Sequence, residues 1–236
     1  MNMTDNFTRY SRQIFIEEIG VEGQRKIRAA KVLVIGAGGL GSPVIQYLAA
    51  AGVGNLAVAD FDTLEIHNLN RQVIHQENNI GKLKVESALE FVSALNSDVH
   101  FIPIKEKVTH ENVRQIIHPY DIIIDGSDNF TTRYLVNDAS AELGKTLVYG
   151  SILAFEGQVA VFNHQGSKNL RDLFPEPPNR ENLPDCDSLG VLGPLPGIVS
   201  SIMAMQTLQI ICDMDVMRNE LLLIDTKNWT FNKVGF

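Results

Sequence analysis

The stretch KVLVIGAGGLGSPVIQYLAAAGVGNLAVADFD, residues 31–62, constrains the fold more than any other part of the chain. Its first run, Lys31–Ile35, is apolar and rich in branched residues, as a strand covered on both faces requires. Gly36-x-Gly38-x-x-Gly41 follows and opens a helix-like segment at Pro43–Ala51, and a second apolar run, Leu56–Asp60, ends in an acid. In such a loop Gly36 permits the tight turn, Gly38 lets backbone approach a phosphate, and Gly41 lets helix and strand pack closely. The N-terminus of the helix offers free N–H groups and a partial positive charge to an anion. Asp60 lies about 20 residues further on, where a carboxylate accepts hydrogen bonds from a ribose diol. The unit predicts a nucleotide with a free ribose diol.

Strand and helix patterns keep alternating after this unit. Strand-like runs at Val99–Ile104 and Asp121–Asp125 frame helix-like segments at Lys82–Leu95 and His110–His118. A helix around Phe130–Leu143 and strand-like runs at Thr146–Ser151 and Gln158–Phe162 come next. This rhythm predicts an α/β fold, a Rossmann-like doubly wound sheet that is mostly parallel, with helices on both faces. A crossover loop at about 165–192, QGSKNLRDLFPEPPNRENLPDCDSLG, then breaks the period and is rich in Pro, Asn and Asp. Long aperiodic loops inside compact domains are usually functional or disordered. A near-uniformly apolar helix at Gly197–Cys212 and a hairpin in ELLLIDTKNWTFNKV add antiparallel C-terminal strands. No repeat or linker interrupts the chain, so residues 1–236 are expected to form one domain. Its nucleotide-binding half spans about 28–150, and the C-terminal helix and hairpin about 193–236.

Composition removes several classes. The net charge of −8 disfavours nucleic acid, which calls for a basic face. The polar start MNMTDNFTRYS has no apolar core of a secretory signal, and GIVSSIMAMQTLQIIC is shorter than a typical membrane span, so a cytoplasmic protein with no membrane partner is expected. Two cysteines, Cys186 and Cys212, supply neither a disulfide framework nor a four-thiolate zinc site.

The residues after Asp60 argue against hydride transfer. DFDTLEIHNLNRQVIH packs Asp62, Asn68, Asn70, Arg71 and Gln72 beyond the strand, and Lys84 follows in GKLKVESA. A nicotinamide needs no such set, whereas transfer at a triphosphate places charge that Arg and Lys stabilise. No G-x-x-x-x-G-K-[ST] loop is present, which excludes a P-loop enzyme. Asp128 follows the run DIIIDGSD at the carboxyl end of a parallel strand, the edge where open α/β sheets bind ligands. It can ligate a metal or cap the next helix, a task open also to Asn129.

RYSRQI, GAGGLGSP, AGVGNLAVADFDTLEIHNLNRQ, GKLKVESA, DGSDNFTTR and GVLGPLPGIVSS together resemble the ThiF/MoeB/HesA family, bacterial relatives of ubiquitin-activating enzymes, over almost the whole chain. The resemblance implies adenylation of the C-terminal glycine of a small ubiquitin-fold sulfur carrier, of ThiS or MoaD type, using ATP and Mg2+. Such carriers serve thiamine or molybdopterin synthesis. It makes Gly36, Gly38, Gly39, Gly41, Asp60, Asp62, Asn68 and Gln72 nucleotide contacts. Arg71 and Lys84 become phosphate ligands, and Asp128 the magnesium ligand. Arg12 becomes an arginine finger that reaches into the neighbouring subunit, which implies a homodimer with shared active sites. Cys186 matches a loop cysteine that bonds to the activated carrier in some members, although Asp185 and Asp187 beside it raise a thiol pKa.

Zinc is not expected. Where many members carry a C-x-x-C this chain has Asn169–Asp172, NLRD, so it resembles the zinc-free branch often fused to a rhodanese domain. The sulfur is then expected from a separate donor. His67 and His75 read as polar loop residues and Cys212 as core. The rival readings are a nicotinamide oxidoreductase, a non-catalytic carrier-binding module and a tRNA-modifying dehydratase.

Overall fold

The computed structural model describes residues 7–178 and 190–236. Eight strands form one sheet in the order β3-β2-β1-β4-β5-β6-β7-β8. They are β1 (Lys31–Ile35), β2 (Asn55–Ala59), β3 (His100–Ile104), β4 (Ile122–Asp125), β5 (Thr146–Leu153), β6 (Glu156–Phe162), β7 (Glu220–Asp225) and β8 (Thr230–Gly235). Strands β3, β2, β1, β4 and β5 run parallel, and β6 to β8 are antiparallel. The doubly wound, mostly parallel sheet with antiparallel C-terminal strands is therefore as the sequence predicts.

Helices cover both faces. The chain carries α1 (Ser11–Ile14), α2 (Gly20–Ala29), α3 (Gly41–Ala51), α4 (Lys84–Leu95), α5 (Val113–Ile117), α6 (Phe130–Glu142), α7 (Leu170–Leu173) and α8 (Pro194–Ile211). Successive strand side chains point to opposite faces, so β1 sends Val32 and Val34 into a core with α2, α3, α4 and α8. Leu33 and Ile35 join the core with α5, α6 and α7. Every residue of β1 after Lys31 is buried, which is why the run lacks polar alternation.

Helix α8 lies against β5 and β6 where two strand residues have no side chain. A Cβ on Gly157 meets Val199 Cγ2 at 2.4 Å, and one on Gly150 meets Met203 Sδ at 2.2 Å. Helix α2 lies outside the expected segments, because Ile27 is its one buried large apolar residue and leaves almost no helical stripe to read. Helix α5 is shorter than the expected His110–His118. Asn112 accepts from the Thr109 N–H (2.8 Å), which turns the chain before the helix.

The expected aperiodic crossover holds a short helix, α7. Asn169 and Asp172 form a reciprocal capping box at its start. Arg171 forms a two-pronged bond with Asp138 on α6 (2.7 and 2.8 Å) and lies over the Tyr134 ring. The NLRD stretch thus fixes the start of the crossover by hydrogen bonds. Cys186 falls outside the described residues.

Candidate active site

Strand order reverses at β1, with β2 and β3 on one side and β4 and β5 on the other. A crevice outside the carboxyl ends of the strands is the usual ligand site at such a point. The loops after β1 and β4 meet there backbone to backbone. Gly36 has φ +93°, and a Cβ on it approaches the Gly126 carbonyl oxygen to 2.9 Å. A Cβ on Gly41 sits 1.9 Å from the Gly36 carbonyl oxygen, so only hydrogen fits where α3 starts. Gly38 and Gly39 line the resulting cavity of about 590 Å³ together with Asp60, Asp62, Arg71, Gln72, Lys84 and Asp128. Nearly all the expected contacts converge in one place.

Asp60, just beyond β2, is buried. Its Oδ2 accepts from the Ala37 N–H (2.7 Å) and its Oδ1 from the Asp62 N–H (2.8 Å), which aims the carboxylate across the glycine loop. Burial pushes its pKa above the ordinary carboxylate value, opposed first by Lys84 and then by these two N–H groups. Lys84, the first residue of α4, is buried although exposure is the rule for lysine. Its Nζ lies 2.8 Å from Asp62 Oδ2, and its backbone N–H donates to the Asp62 carbonyl (2.9 Å). Ammonium and acids are thereby held at the cavity wall.

Arg71 lays its stem against the glycine loop, 3.7 Å from the place a Gly39 Cβ would take. Its guanidinium donates to the His67 carbonyl and to Asn70 Oδ1 (3.0 and 3.1 Å). Gln72 is buried beside Gly38. Asn68 corrects the expectation. It does not line the cavity, because its side chain closes a capping box with Glu65, accepting from the Glu65 N–H (3.0 Å). Its carbonyl accepts from Arg71 and Gln72 (3.1 and 3.0 Å), so Asn68 shapes the turn that presents them.

His75 lies in a loop as expected, but it is buried. Nε2 donates to the Ala37 carbonyl and Nδ1 faces Ser87 Oγ, both at 2.9 Å. The backbone of Ala37 is thus gripped on both sides, by Asp60 at its N–H and by His75 at its carbonyl oxygen. Burial pushes the imidazole pKa down, and Lys84 adds to this.

Asn129, not Asp128, caps α6, accepting from the Thr132 N–H (2.9 Å). The exposed Asp128 carboxylate, bonded within the protein to the Asn129 amide (3.3 Å), faces the cavity. Among the described residues no group of three His, Cys, Asp or Glu side chains can hold a metal alone. A single carboxylate suits a cation whose other ligands are phosphate oxygens and water, as Mg2+ prefers.

Arg12 lies near the end of α3 away from the glycine loop. The next residue, Gln13, donates to the Ala51 carbonyl (2.9 Å) at the C-terminus of α3, whereas the glycine loop is at its N-terminus. Arg12 therefore does not join the cavity of its own chain. Sequence reasoning gave no role to Arg133, which also lines the cavity. Its presence in DGSDNFTTR was the only available signal.

The ThiF family profile matches residues 10–235. The chain is 43% identical to the sulfur carrier protein adenylyltransferase of Thermus thermophilus, covering 98% of this chain and 87% of that protein. It is also 43% identical to the adenylyltransferase and sulfurtransferase MOCS3 of Anopheles gambiae, over 98% of this chain and 52% of that protein. The chain thus spans about half the length of its MOCS3 relatives. A solved structure of E. coli MccB with ATP has the same fold, with TM-score 0.84 at 20% identity, covering 98% of this chain and 72% of that one. Sequence and architecture agree: the chain belongs to the ThiF family.

Proposed function

We propose that this chain joins the C-terminal carboxylate of a small ubiquitin-fold sulfur carrier to AMP, for thiamine or molybdopterin synthesis. One observation carries the reading: a ribose acceptor, two cations and an unspent carboxylate line one cavity at the switch point of the sheet. The identity to the Thermus adenylyltransferase supports the same chemistry.

Asp60 binds the ribose diol, and the N-terminus of α3 faces the phosphates. A carrier carboxylate oxygen attacks the α-phosphorus, the bond to the bridging oxygen breaks, and pyrophosphate leaves with the electron pair. No general base is required, because the attacking acid is ionised at neutral pH. Arg71 and Lys84 offset charge on the phosphates, so catalysis is mostly positioning and electrostatics. Mg2+, held by Asp128 and phosphate oxygens, supplies further charge neutralisation when bound.

The active unit in this reading is a homodimer in which Arg12 completes the partner's site. Exposed apolar side chains support it: Phe15 beside Arg12, Tyr47 on α3, and Met205 on the outward stripe of α8. Sulfur comes from a separate donor.

Incubation with ATP, Mg2+ and ubiquitin-fold proteins ending in Gly-Gly, followed by mass spectrometry, tests the proposal. A carrier that gains an adenylyl group is the expected result. Binding of NAD, with no ATP binding and no adenylated carrier, overturns it in favour of an oxidoreductase.

A further inference from the structure

Arg133, on the first turn of α6, is buried in the cavity wall and ties the end of β4 and its loop to β5. Its two terminal nitrogens donate to the Tyr149 hydroxyl (3.1 Å) and to the carbonyls of Ser127 and Gly150 (3.0 Å each). Its Nε lies 3.3 Å from Asp125 Oδ2. The guanidinium stacks over the Tyr149 ring, 4.7 Å from the centroid. The other Asp125 oxygen accepts from both the N–H and the Oγ–H of Ser127 (3.0 and 2.5 Å). The Tyr149 hydroxyl itself donates to Gln158 Oε1 (3.2 Å).

Two of these anchors adjoin cavity residues: Ser127 precedes Asp128, and Gly150 precedes Ser151. Strand β5 is three places from β2 in the sheet, about 14 Å at the usual strand spacing. With the ribose at Asp60, beyond β2, and Asp128 proposed to hold Mg2+ beyond β4, a bound nucleotide would reach from the β2 side of the cavity toward β4. One guanidinium therefore fixes both the loop that presents Asp128 and the strand end that bounds this half of the cavity. Stability alone is a poor reason for such a group, since well-packed apolar residues often replace a buried ion pair without loss. Geometry is a better one, because the planar fork of arginine meets several acceptors at fixed angles.

We infer that Arg133 is a positioning residue for the transfer step, setting Asp128 and the end of β5 in register without binding phosphate itself. This rests on the adenylation reading. Arg133→Lys tests it, since one ammonium keeps the charge but does not reach Asp125, Ser127, Tyr149 and Gly150 together.

Calorimetric titration with ATP, in EDTA and then in Mg2+, gives a readout independent of turnover. In EDTA the affinity of Arg133→Lys should stay within about threefold of wild type, because the Asp60 side is untouched. The gain in affinity on adding Mg2+ should shrink about tenfold, the scale for losing an outer-shell partner of a metal ligand. The kcat of ATP–pyrophosphate exchange, with the carrier identified by mass spectrometry, should fall about 100-fold, while the KM for ATP in Mg2+ rises by no more than the roughly tenfold lost from the Mg2+ response. A merely structural role lowers the melting temperature but leaves the Mg2+ response of the folded fraction intact, and that outcome overturns the inference. If the lysine variant does not fold, Tyr149→Phe and Asp125→Asn carry the test. A wild-type Mg2+ response in both refutes it, and a reduced response in either supports it. Failure of the wild-type chain to adenylate any carrier instead refutes the proposed function, while the calorimetric comparison still decides what Arg133 does.

Discussion

Lys84 stands between two carboxylates, and its ammonium is the strongest influence keeping Asp60 ionised against burial. Replacing it with methionine removes that influence, so the Asp60 pKa rises further. The ionised form is the stronger acceptor for the two hydroxyls of a ribose. The acid limb of ATP binding in Lys84→Met should therefore move to higher pH, besides a weakening of about tenfold or more from the lost phosphate contact. Calorimetric affinities across the acid range check both effects. His75, whose pKa is shifted the other way, links folding rather than nucleotide binding to pH. Burial holds its folded pKa below 6.5, so the unfolded chain takes up a proton first as pH falls. Its contribution is complete above about 6.5 and drains away as pH falls toward the folded value. Urea midpoints should decline through that window, and His75→Asn should flatten the decline while costing about 1–2 kcal/mol for its hydrogen bonds. Asp60 and the glycines were legible because spacing along the chain fixes what they do. For Lys84, His75, Asn68 and Arg133 the residue type was visible but not the direction of the side chain, and direction separates ligand, clamp and cap.

The strands were readable to within one or two residues because apolar runs bounded by glycine, asparagine and acids leave few alternatives. Helices α2 and α7 escaped for a different reason, since packing and caps hold them rather than an apolar stripe. What no pattern displays is how closely two elements approach. Helix α8 rests on β6 through the bare backbone of Gly157, whose added methyl group would meet the branched side chain of Val199 at 2.4 Å. Valine is stiff at χ1 and cannot turn aside cheaply. Gly157→Ala should therefore lift α8 from the sheet and cost about 1–3 kcal/mol, the usual penalty for overfilling a core. At Gly150 the clashing group is the flexible thioether of Met203, so Gly150→Ala should cost less. Thermal melts of the two variants compare the elements directly. The same close approach fixes the start of α8, where a Cβ on Gly193 would meet the Asn70 carbonyl oxygen at 2.3 Å. Helix packing is thereby coupled to the turn that presents Arg71.

Across the whole molecule the difficulty is Arg12. Helix α3 is 11 residues long, about 16 Å at the rise of an α-helix, and Arg12 sits by its C-terminus while the phosphates are proposed at its N-terminus. An arginine side chain does not span that distance, so Arg12 either acts in a second copy or has no part in the chemistry. A two-fold dimer distinguishes these outcomes, because each site then combines Arg12 of one chain with Lys84 of the other. Arg12→Ala alone and Lys84→Met alone should both lose most carrier-dependent pyrophosphate exchange while keeping the fold. In a heterodimer of the two variants one site carries both defects and the other carries neither. Co-expression in equal amounts should restore about a quarter of wild-type exchange, since half the dimers are mixed and each has one intact site. Sites built from single chains give no recovery at any ratio. Active Arg12→Ala on its own removes Arg12 from the reaction, leaving the exposed Phe15, at 76%, and Met205, at 57%, to be explained by some other contact.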